Sequence, residues 1–566
     1  MEQHKLTRRD FLTLSSATAA SLLLAACAPV AAPGGSAAPA AQPAAGGAAG
    51  SAAAGDTLTF ATDSPWGTFS PFRPTYQYGY SSNYIAMLTH SRLFDLDHNN
   101  EPKGDLATSW EVSDDATTYT FKLRKDAKWH DGQPVTAKDV EATVKLILTK
   151  ATNINPERWI SALKGGQDFY DGKSDQLPGV QTPDDYTVIF TLAKEVVGWH
   201  LSATTDLQIL PAHIFKDVKP ADIVEHHSPA WYKPELNIGS GPFKFVQAQR
   251  DQFVELVRND DYYGGKPKVG RILFKNFGAA DTQFIALQKG ELDIWNVPQN
   301  FYEQVKQLQN VDVKLVDRNY IRVFLLHYES PHLADKRVRQ ALAYAIDRKG
   351  ICDSLYSGLC KPYNSYMEMG SWLAPNLNQY EYNPDKAKQL LAAAQADGKW
   401  DPNTELKVIW YYPDALHKDI MAAIQQNLAQ VGVKTQLQFM EGTAATAAQK
   451  SCDFDLYYQG WGFSFPEDYN SFFTDAERCT TPWADPDATK LFKETSVTAD
   501  EAKRHELHNE IQTKLNDELP MMPFLQFTGV VAVNKRVQGF NEDALWYMFY
   551  QWNNGFNNAV NWSVAG

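Results

Sequence analysis

Tyr320-Ile-Arg-Val-Phe-Leu-Leu-His-Tyr328, then Glu329-Ser-Pro-His-Leu-Ala-Asp335, then Lys336-Arg-Val-Arg-Gln-Ala-Leu-Ala-Tyr-Ala-Ile-Asp-Arg348 is the stretch that decides how this chain divides. Its first part is β-branched, aromatic and mostly apolar, which predicts a buried strand. Ser330-Pro331 stops that strand. Val338, Ala341, Leu342, Ala345 and Ile346 then fall at i, i+3, i+4, i+7 and i+8, one apolar face of a helix, with Asp335 placed as its N-cap. We read this as the point where the chain leaves one lobe and founds a second, hinged where Phe324–Tyr328 passes between them. Two lobes around a cleft usually form a ligand trap.

The totals agree with a globular binding protein. A chain of 566 residues has room for two to four domains, and 44% hydrophobic with 21% charged content can build ample cores. A net charge of −14 argues against a nucleic-acid surface and against a polybasic membrane patch. The 15 Trp and 26 Tyr either fill core or line a cleft for stacking on a ligand. Cys352 with Cys360 and Cys452 with Cys479 is the preferred disulfide pairing, because each closes a short loop; free buried thiols are the alternative. No cysteine or histidine cluster has zinc spacing, so neither a metal nor a cofactor is expected.

Residues 1–27 read as an address. Lys5, Arg8 and Arg9 are a positive n-region, and Phe11–Ala26 is an apolar stretch too short to span a membrane. Thr7-Arg-Arg-Asp-Phe-Leu12 looks like a twin-arginine export signal. Leu24-Ala-Ala-Cys27 resembles a bacterial lipobox, which implies lipidation of Cys27. Residues 28–55 are almost entirely Ala, Gly, Pro, Ser and Gln, a tether expected to be disordered, with a root-mean-square span of about 30 Å. The body is thus expected to be anchored at the outer face of the cytoplasmic membrane rather than to span it.

The body opens with a strand at Thr57–Ala61, followed by an aromatic loop with Trp66, Phe69, Phe72, Tyr76, Tyr78, Tyr80 and Tyr84. Pro102–Lys233 reads as an inserted α+β unit: alternating strands around Phe121 and Phe190, and a helix opened by the capping box Thr136-Ala-Lys-Asp139. Gly239-Ser-Gly-Pro242 is a tight turn into a strand. After the crossover, Asn383-Pro384 starts a helix. The strand Leu406–Trp410, the helix Leu416–Val431 and the strand Val433–Phe439 form a β-α-β unit. Thr498-Ala-Asp-Glu501 is a second capping box, and the tail Val530–Trp562 is expected back in the first lobe.

Enzyme motifs fail one by one. Ser161-Ala-Leu-Lys164 lacks the companions of a Ser-x-x-Lys hydrolase. His505-Glu-Leu-His508 is one residue short of the zinc helix and reads as a solvated face. Glu467-Asp468 are too close in sequence to oppose each other across a glycosidic bond. The stretch Asp453–Asp468 is more telling: an apolar strand ends at Gly460-Trp461 and enters a Gly/Pro/acidic loop. Such a strand end offers backbone donors and a stacking face, as a cleft wall needs.

Seven stretches in order carry a resemblance. They are Leu106-Ala-Thr-Ser-Trp110, Thr118-Tyr-Thr-Phe-Lys-Leu-Arg124, Lys128–Val140, Gly239-Ser-Gly-Pro-Phe243, Ala286-Leu-Gln-Lys-Gly-Glu-Leu-Asp293, Val338–Arg348 and Gly460-Trp461. The chain resembles the extracellular solute-binding proteins of family 5, the peptide and oligopeptide class that serves ABC importers. The resemblance implies an α/β fold of the periplasmic-binding-protein kind, two lobes with an α+β domain inserted in the first. Its boundaries would be 56–100, 234–325 and 528–566 for the first lobe, 101–233 for the insertion and 326–527 for the second lobe. It also implies closure over a ligand without chemistry, delivery to permease subunits, and a monomer. Trp461 and Gly462 should touch ligand, on a wall that includes Tyr458, Gly460, Ser464 and Asp468. His417 is a further candidate, and Tyr78-Gly79-Tyr80 would face them from the first lobe. Peptide binders of the family usually carry Asp where this chain has Ser464, to pair with the ligand's α-amine. Either Glu467 or Asp468 replaces it, or the ligand is uncharged there. The ligand is then a peptide or, given the Trp and Tyr content, an oligosaccharide.

Overall fold

A computed structural model describes residues 56–62, 80–97, 102–152, 157–199, 207–219, 233–249, 252–327, 330–367, 372–462, 485–498, 500–541 and 557–565. Cys27, the tether, Tyr78, Gly79, Ser464, Asp468 and Cys479 lie outside them. Strand β1 (Thr57–Thr62) is followed by helix α1 (Tyr80–Thr89). The aromatic loop expected to run through Tyr84 therefore ends by Tyr80. Tyr84 is buried on α1, where a helical turn sets it against the core instead of a cleft. Short strands β2 (Phe94–Leu96) and β3 (Pro102–Gly104) pair as a hairpin.

A separate antiparallel sheet follows, built from β4 (Ala107–Val112), β5 (Thr118–Leu123), β6 (Val180–Asp184) and β7 (Thr187–Thr191) in the order β4-β5-β7-β6. Helix α2 (Ala137–Ile147) packs on it through Val140, Val144 and Ile147. The Thr136 amide and hydroxyl both donate to the Asp139 carboxylate, at 2.7 and 3.0 Å. Tyr119, Phe121 and Phe190 point to one buried side, as the two-residue period requires.

The chain then contributes β8 (Phe243–Gln249), β9 (Phe253–Arg258), β10 (Arg271–Asn276), helix α3 (Ala280–Gln288) and β11 (Ile294–Asn296). β12 (Val311–Leu326) is the long strand of the deciding stretch, followed by α4 (Lys336–Ala345), α5 (Arg348–Leu355) and β13 (Cys360–Pro362). Helix α6 (Pro384–Ala396), β14 (Glu405–Trp410), α7 (Ala415–Gln430), β15 (Lys434–Phe439), α8 (Gly442–Ser451) and β16 (Leu456–Trp461) come next. Helices α9 (Pro486–Thr495) and α10 (Glu501–Glu518) precede β17 (Met521–Asn534). One mixed sheet joins these strands in the order β15-β14-β16-β12-β17-β11-β1-β10-β9-β8, with β13 also on β17.

β12 and β17 are the two strands that run through both halves of this sheet. Val311–Asp317 pairs with Thr528–Asn534 beside β11, whereas Ile321–Leu326 lies between β16 and Met521–Gln526. The register breaks between Asp317 and Ile321. Phe324 already packs in the second core, with Tyr458 and Phe524. The pairing surroundings of β12 thus change at the irregularity between Asp317 and Ile321.

Asp335 caps α4 by accepting from the Arg337 amide at 2.9 Å, and Val338, Ala341, Leu342 and Ala345 are buried as the pattern demands. Ile346 is buried too but is already past the helix. Asn383 caps α6, and β14 and β15 are parallel across α7. The cap of α10 is Asp500, which accepts from Lys503 N at 2.8 Å. Thr498 does not cap it, because its hydroxyl is bonded back to the Glu494 carbonyl at 2.8 Å. On α10 the expected solvated face is also revised: His508 is fully buried and Trp372 stacks on His505 at 3.6 Å. Near the end of the chain Trp562 is buried against Phe60 and Phe540.

Cys352 and Cys360 form a disulfide, and Cys452 is also disulfide-bonded. Replacing both Cys352 and Cys360 with Ala is expected to lower stability by about 2–3 kcal/mol, the entropy of a short closed loop. Urea unfolding of the double variant against the native chain reads this directly. Among the described residues no helix is long and apolar enough to cross a membrane, and none holds a metal-ligating cluster.

Candidate functional site

β14 and β16 run parallel and end at the same edge of the sheet, on Trp410 and Trp461. In open α/β sheets the carboxyl ends of parallel strands leave a crevice where ligands gather. β12 brings Tyr320, Ile321 and Arg322 to this edge, with Ile321 opposite Trp461 and Arg322 opposite Gly460. Beyond β14, Tyr411 and Tyr412 lead into α7, whose N-cap Asp414 accepts from the His417 amide at 3.0 Å.

These residues form a nest around one guanidinium. Arg322 is buried; its Nη1 donates to the Tyr320 hydroxyl at 2.7 Å and also to the Tyr412 hydroxyl. Its Nη2 lies 3.3 Å from His417 Nε2. The guanidinium carbon sits 4.0 Å from the Tyr412 ring centre, a cation–π contact, with Phe527 5.3 Å away. Burial opposes the charge, but the surrounding tyrosines more than offset it, and Arg322 stays protonated. His417 Nδ1 lies 2.7 Å from the Asp414 carboxylate, and its ring stacks on Tyr412 at 4.4 Å. Burial and then the Arg322 charge hold the His417 pKa below its ordinary value. Neutral His417 therefore donates from Nδ1 to Asp414 and accepts Arg322 on Nε2. Gly460 is required by close approach: a Cβ there would fall on the Tyr320 hydroxyl and on Arg322 Nη1.

The expected site residues divide at this edge. Tyr458 and Gly460 face the Arg322 nest, where Tyr458 is fully buried 5.2 Å from Phe324. Trp461, one strand position out of phase, is buried on the opposite face with Ile321, Val323 and Tyr457. Gly462 follows it, half-buried. His417 belongs to the nest with both ring nitrogens engaged. Tyr80 is the first residue of α1. Arg322, Tyr320, Tyr411 and Tyr412 were not singled out from sequence. An arginine inside Tyr-Ile-Arg-Val-Phe-Leu-Leu was the available signal, since arginine in a buried strand needs a reason.

Among the described residues a hollow of about 560 Å³ lies at the start of α8, lined by Glu441, Gly442, Thr443, Thr446, Ala447 and Lys450. It touches no residue of the nest. The edge at β14 and β16, with its charge and aromatic faces, is the better candidate.

The profile of the bacterial extracellular solute-binding proteins, family 5, matches residues 101–478. The chain belongs to this family. Similar family members include a putative ABC transporter peptide-binding protein of Brucella ovis, 33% identical over 367 residues, which are 65% of each chain. The chain thus spans about two thirds of the length of that relative. The oligopeptide-binding protein AppA of Bacillus subtilis is 27% identical over 83% of this chain and 86% of its own. Among solved structures, the ABC transporter substrate-binding protein CtaP of Listeria monocytogenes superposes with a TM-score of 0.75 at 26% identity, covering 90% of this chain and 99% of its own. AppA of Bacillus subtilis in complex with a nonapeptide gives 0.69 at 23% identity, over 90% and 99%. The two-lobe α/β fold of family 5 is therefore the fold of this chain.

Proposed function

We propose that this family 5 protein captures a peptide between its lobes and delivers it to the permease of an ABC importer. The observation that carries the reading is the polar, aromatic edge at the carboxyl ends of β14 and β16, in a chain whose relatives are named for peptide binding. Such an edge binds by hydrogen bonding, burial and stacking, and no covalent step is needed. In this reading the lobes follow the boundaries 56–100, 234–325 and 528–566 for the first and 326–527 for the second, with 101–233 inserted. Trp461, Gly462, Ser464 and Asp468 meet Tyr78-Gly79-Tyr80 across the cleft, and Cys452 pairs with Cys479. The Cys27 lipobox and the Ala/Gly/Pro tether support a chain leashed by lipid to the outer face of the cytoplasmic membrane, which we take to act as a monomer. Cys27→Ala should then release the protein from the membrane fraction.

A second reading, an oligosaccharide ligand, is favoured by the run Trp410-Tyr411-Tyr412 at the same edge, since flat rings stack on sugar faces. Calorimetry of the purified protein against peptide and oligosaccharide libraries separates the two. Peptide binding in the micromolar range or tighter is expected; binding of sugars alone overturns the peptide reading. Chemical turnover of a bound compound overturns both.

A further inference from the structure

Hydrogen-bond counting around Arg322 gives a surplus with one sign. Tyr320, Tyr411 and Tyr412 bring three hydroxyl protons, and two contacts join them, Tyr320 to Tyr412 at 3.2 Å and Tyr411 to Tyr412 at 2.9 Å. Each contact consumes one proton. Within these three one hydroxyl proton is left over, and the buried hydroxyls of Tyr356 and Tyr458 beside the same guanidinium have no hydrogen-bond partner among the described residues either. The Nε–H of Arg322 is buried and likewise has no partner among them. The remaining guanidinium bonds end on phenol oxygens and an imidazole nitrogen, all neutral. Asp414, the carboxylate nearest along this chain of bonds, is turned to His417. A buried cation in a cluster rich in donors thus has no anion in direct hydrogen-bond contact among the described residues.

The cluster is also reachable. Tyr320, Tyr411 and Tyr412 are each only half-buried, whereas Arg322 lies behind them. A phenol that accepts a bond from a guanidinium is polarised and becomes a stronger donor to a third group. The charge can thus be felt at the hydroxyls without the arginine itself being exposed.

We propose that this nest is the subsite for a carboxylate of the ligand, with the one spare hydroxyl proton donated to it from Tyr411 at the end of a Tyr320–Tyr412–Tyr411 relay and Arg322 supplying the countercharge. The inference rests on the peptide reading for the identity of the ligand. There the carboxylate is the peptide's C-terminus or an acidic side chain. His417 and Asp414 are positioning residues, because they fix the guanidinium and do not reach the ligand themselves.

The test compares tri- to pentapeptides with free and amidated C-termini, and Glu-containing peptides with their Gln counterparts, by calorimetry. At least one of these carboxylates is expected to improve binding about tenfold or more, as charge-assisted bonds do. The pair that shows the difference identifies the source. Arg322→Met and Tyr411→Phe should each narrow it, and Tyr411→Phe keeps the guanidinium and its packing, so a folding defect in the first variant does not obscure the result. A parallel arm uses glutarate against glutaramide in thermal unfolding, with stabilisation by glutarate alone expected in the native protein and lost in both variants. Peptides that bind regardless of their carboxylates, with no response to glutarate, overturn the subsite and leave the peptide reading intact. Failure of every peptide, with the glutarate response kept and dependent on Arg322, overturns the peptide reading and leaves the subsite standing.

Discussion

Taking the protein from pH 7 to pH 5 is expected to cost about 3 kcal/mol of stability, most of it through two histidines, His90 and His130. His90 is buried at the end of α1, and burial, reinforced by nearby His130, lowers its pKa from 6.5 to about 3. Burial lowers His130 from 6.5 to about 4. Its neutral form is specified by its bonds: Nδ1 accepts from the Gly239 amide at 3.1 Å, and Nε2 donates to the Gly241 carbonyl at 3.1 Å. Both folded-state values are depressed, so the unfolded chain takes up protons first as pH falls. The associated stability is intact above pH 6.5 and is lost progressively below it, down to pH 3–4. His90 contributes about 2 kcal/mol by pH 5; His130, half-buried as a residue and less depressed, contributes less. Asp105, whose carboxyl is pushed upward by burial, acts in the opposite sense and returns a little. Urea unfolding at pH 7, 6 and 5 measures the slope, and His90→Gln should remove more than half of it. A flat profile over this range would refute the assignment.

The second large effect is at Arg348, the last residue of the deciding stretch. It is buried at the start of α5, and its guanidinium ties three loop carbonyls together: Tyr363 at 2.8 Å, Gln379 at 2.6 Å and Tyr380 at 2.9 Å. Burial lowers its pKa to about 10, yet it stays charged at neutral pH. Arg348→Met keeps the stem and removes every one of these bonds, leaving carbonyls without donors. A loss of about 3 kcal/mol is expected, since bonds from a charged donor are worth more than neutral ones and orphaned buried acceptors add to the deficit. Arg348→Lys should recover little, because one ammonium cannot spread over three carbonyls as a planar fork does. Denaturant midpoints for the two variants decide this; a lysine variant as stable as the native chain would show that charge alone holds the loop.

The features most legible in the sequence are those set by local physics. Asp335, Asn383 and the Thr136–Asp139 pair cap helices as their spacing predicts, and the two-residue alternation around Phe121 and Phe190 marks a half-buried sheet. Gly239-Ser-Gly-Pro was legible as a turn but not in purpose. A Cβ at Gly241 would stand 2.6 Å from the Leu88 carbonyl, so backbone packing on α1 is what excludes side chains there. Thr498 misled because Asp500, two residues on, offers a carboxylate to the same helix end. His508 misled because helical periodicity cannot show that Trp372 arrives from another segment. The candidate site was half legible for the same reason. Gly460 and Trp461 stand out in one strand, but the nest is assembled by β12, β16 and the start of α7, with Arg322 standing 90 residues from Tyr412 and 95 from His417. That β16 turns Tyr458 and Trp461 to opposite faces follows from their odd spacing.

The partnering of β1 sets a schedule for synthesis. Its neighbours in the sheet are β10 and β11, more than two hundred residues downstream, and its Phe60 ring rests on Trp562 near the other terminus. Folding slows when native contacts are this distant in sequence. The opening strand must therefore wait, unpaired, until about half of the polypeptide has been made, and its ring contact with Trp562 forms last. Nascent chains of this protein are open to capture by holdases or translocation machinery over that first half of their synthesis.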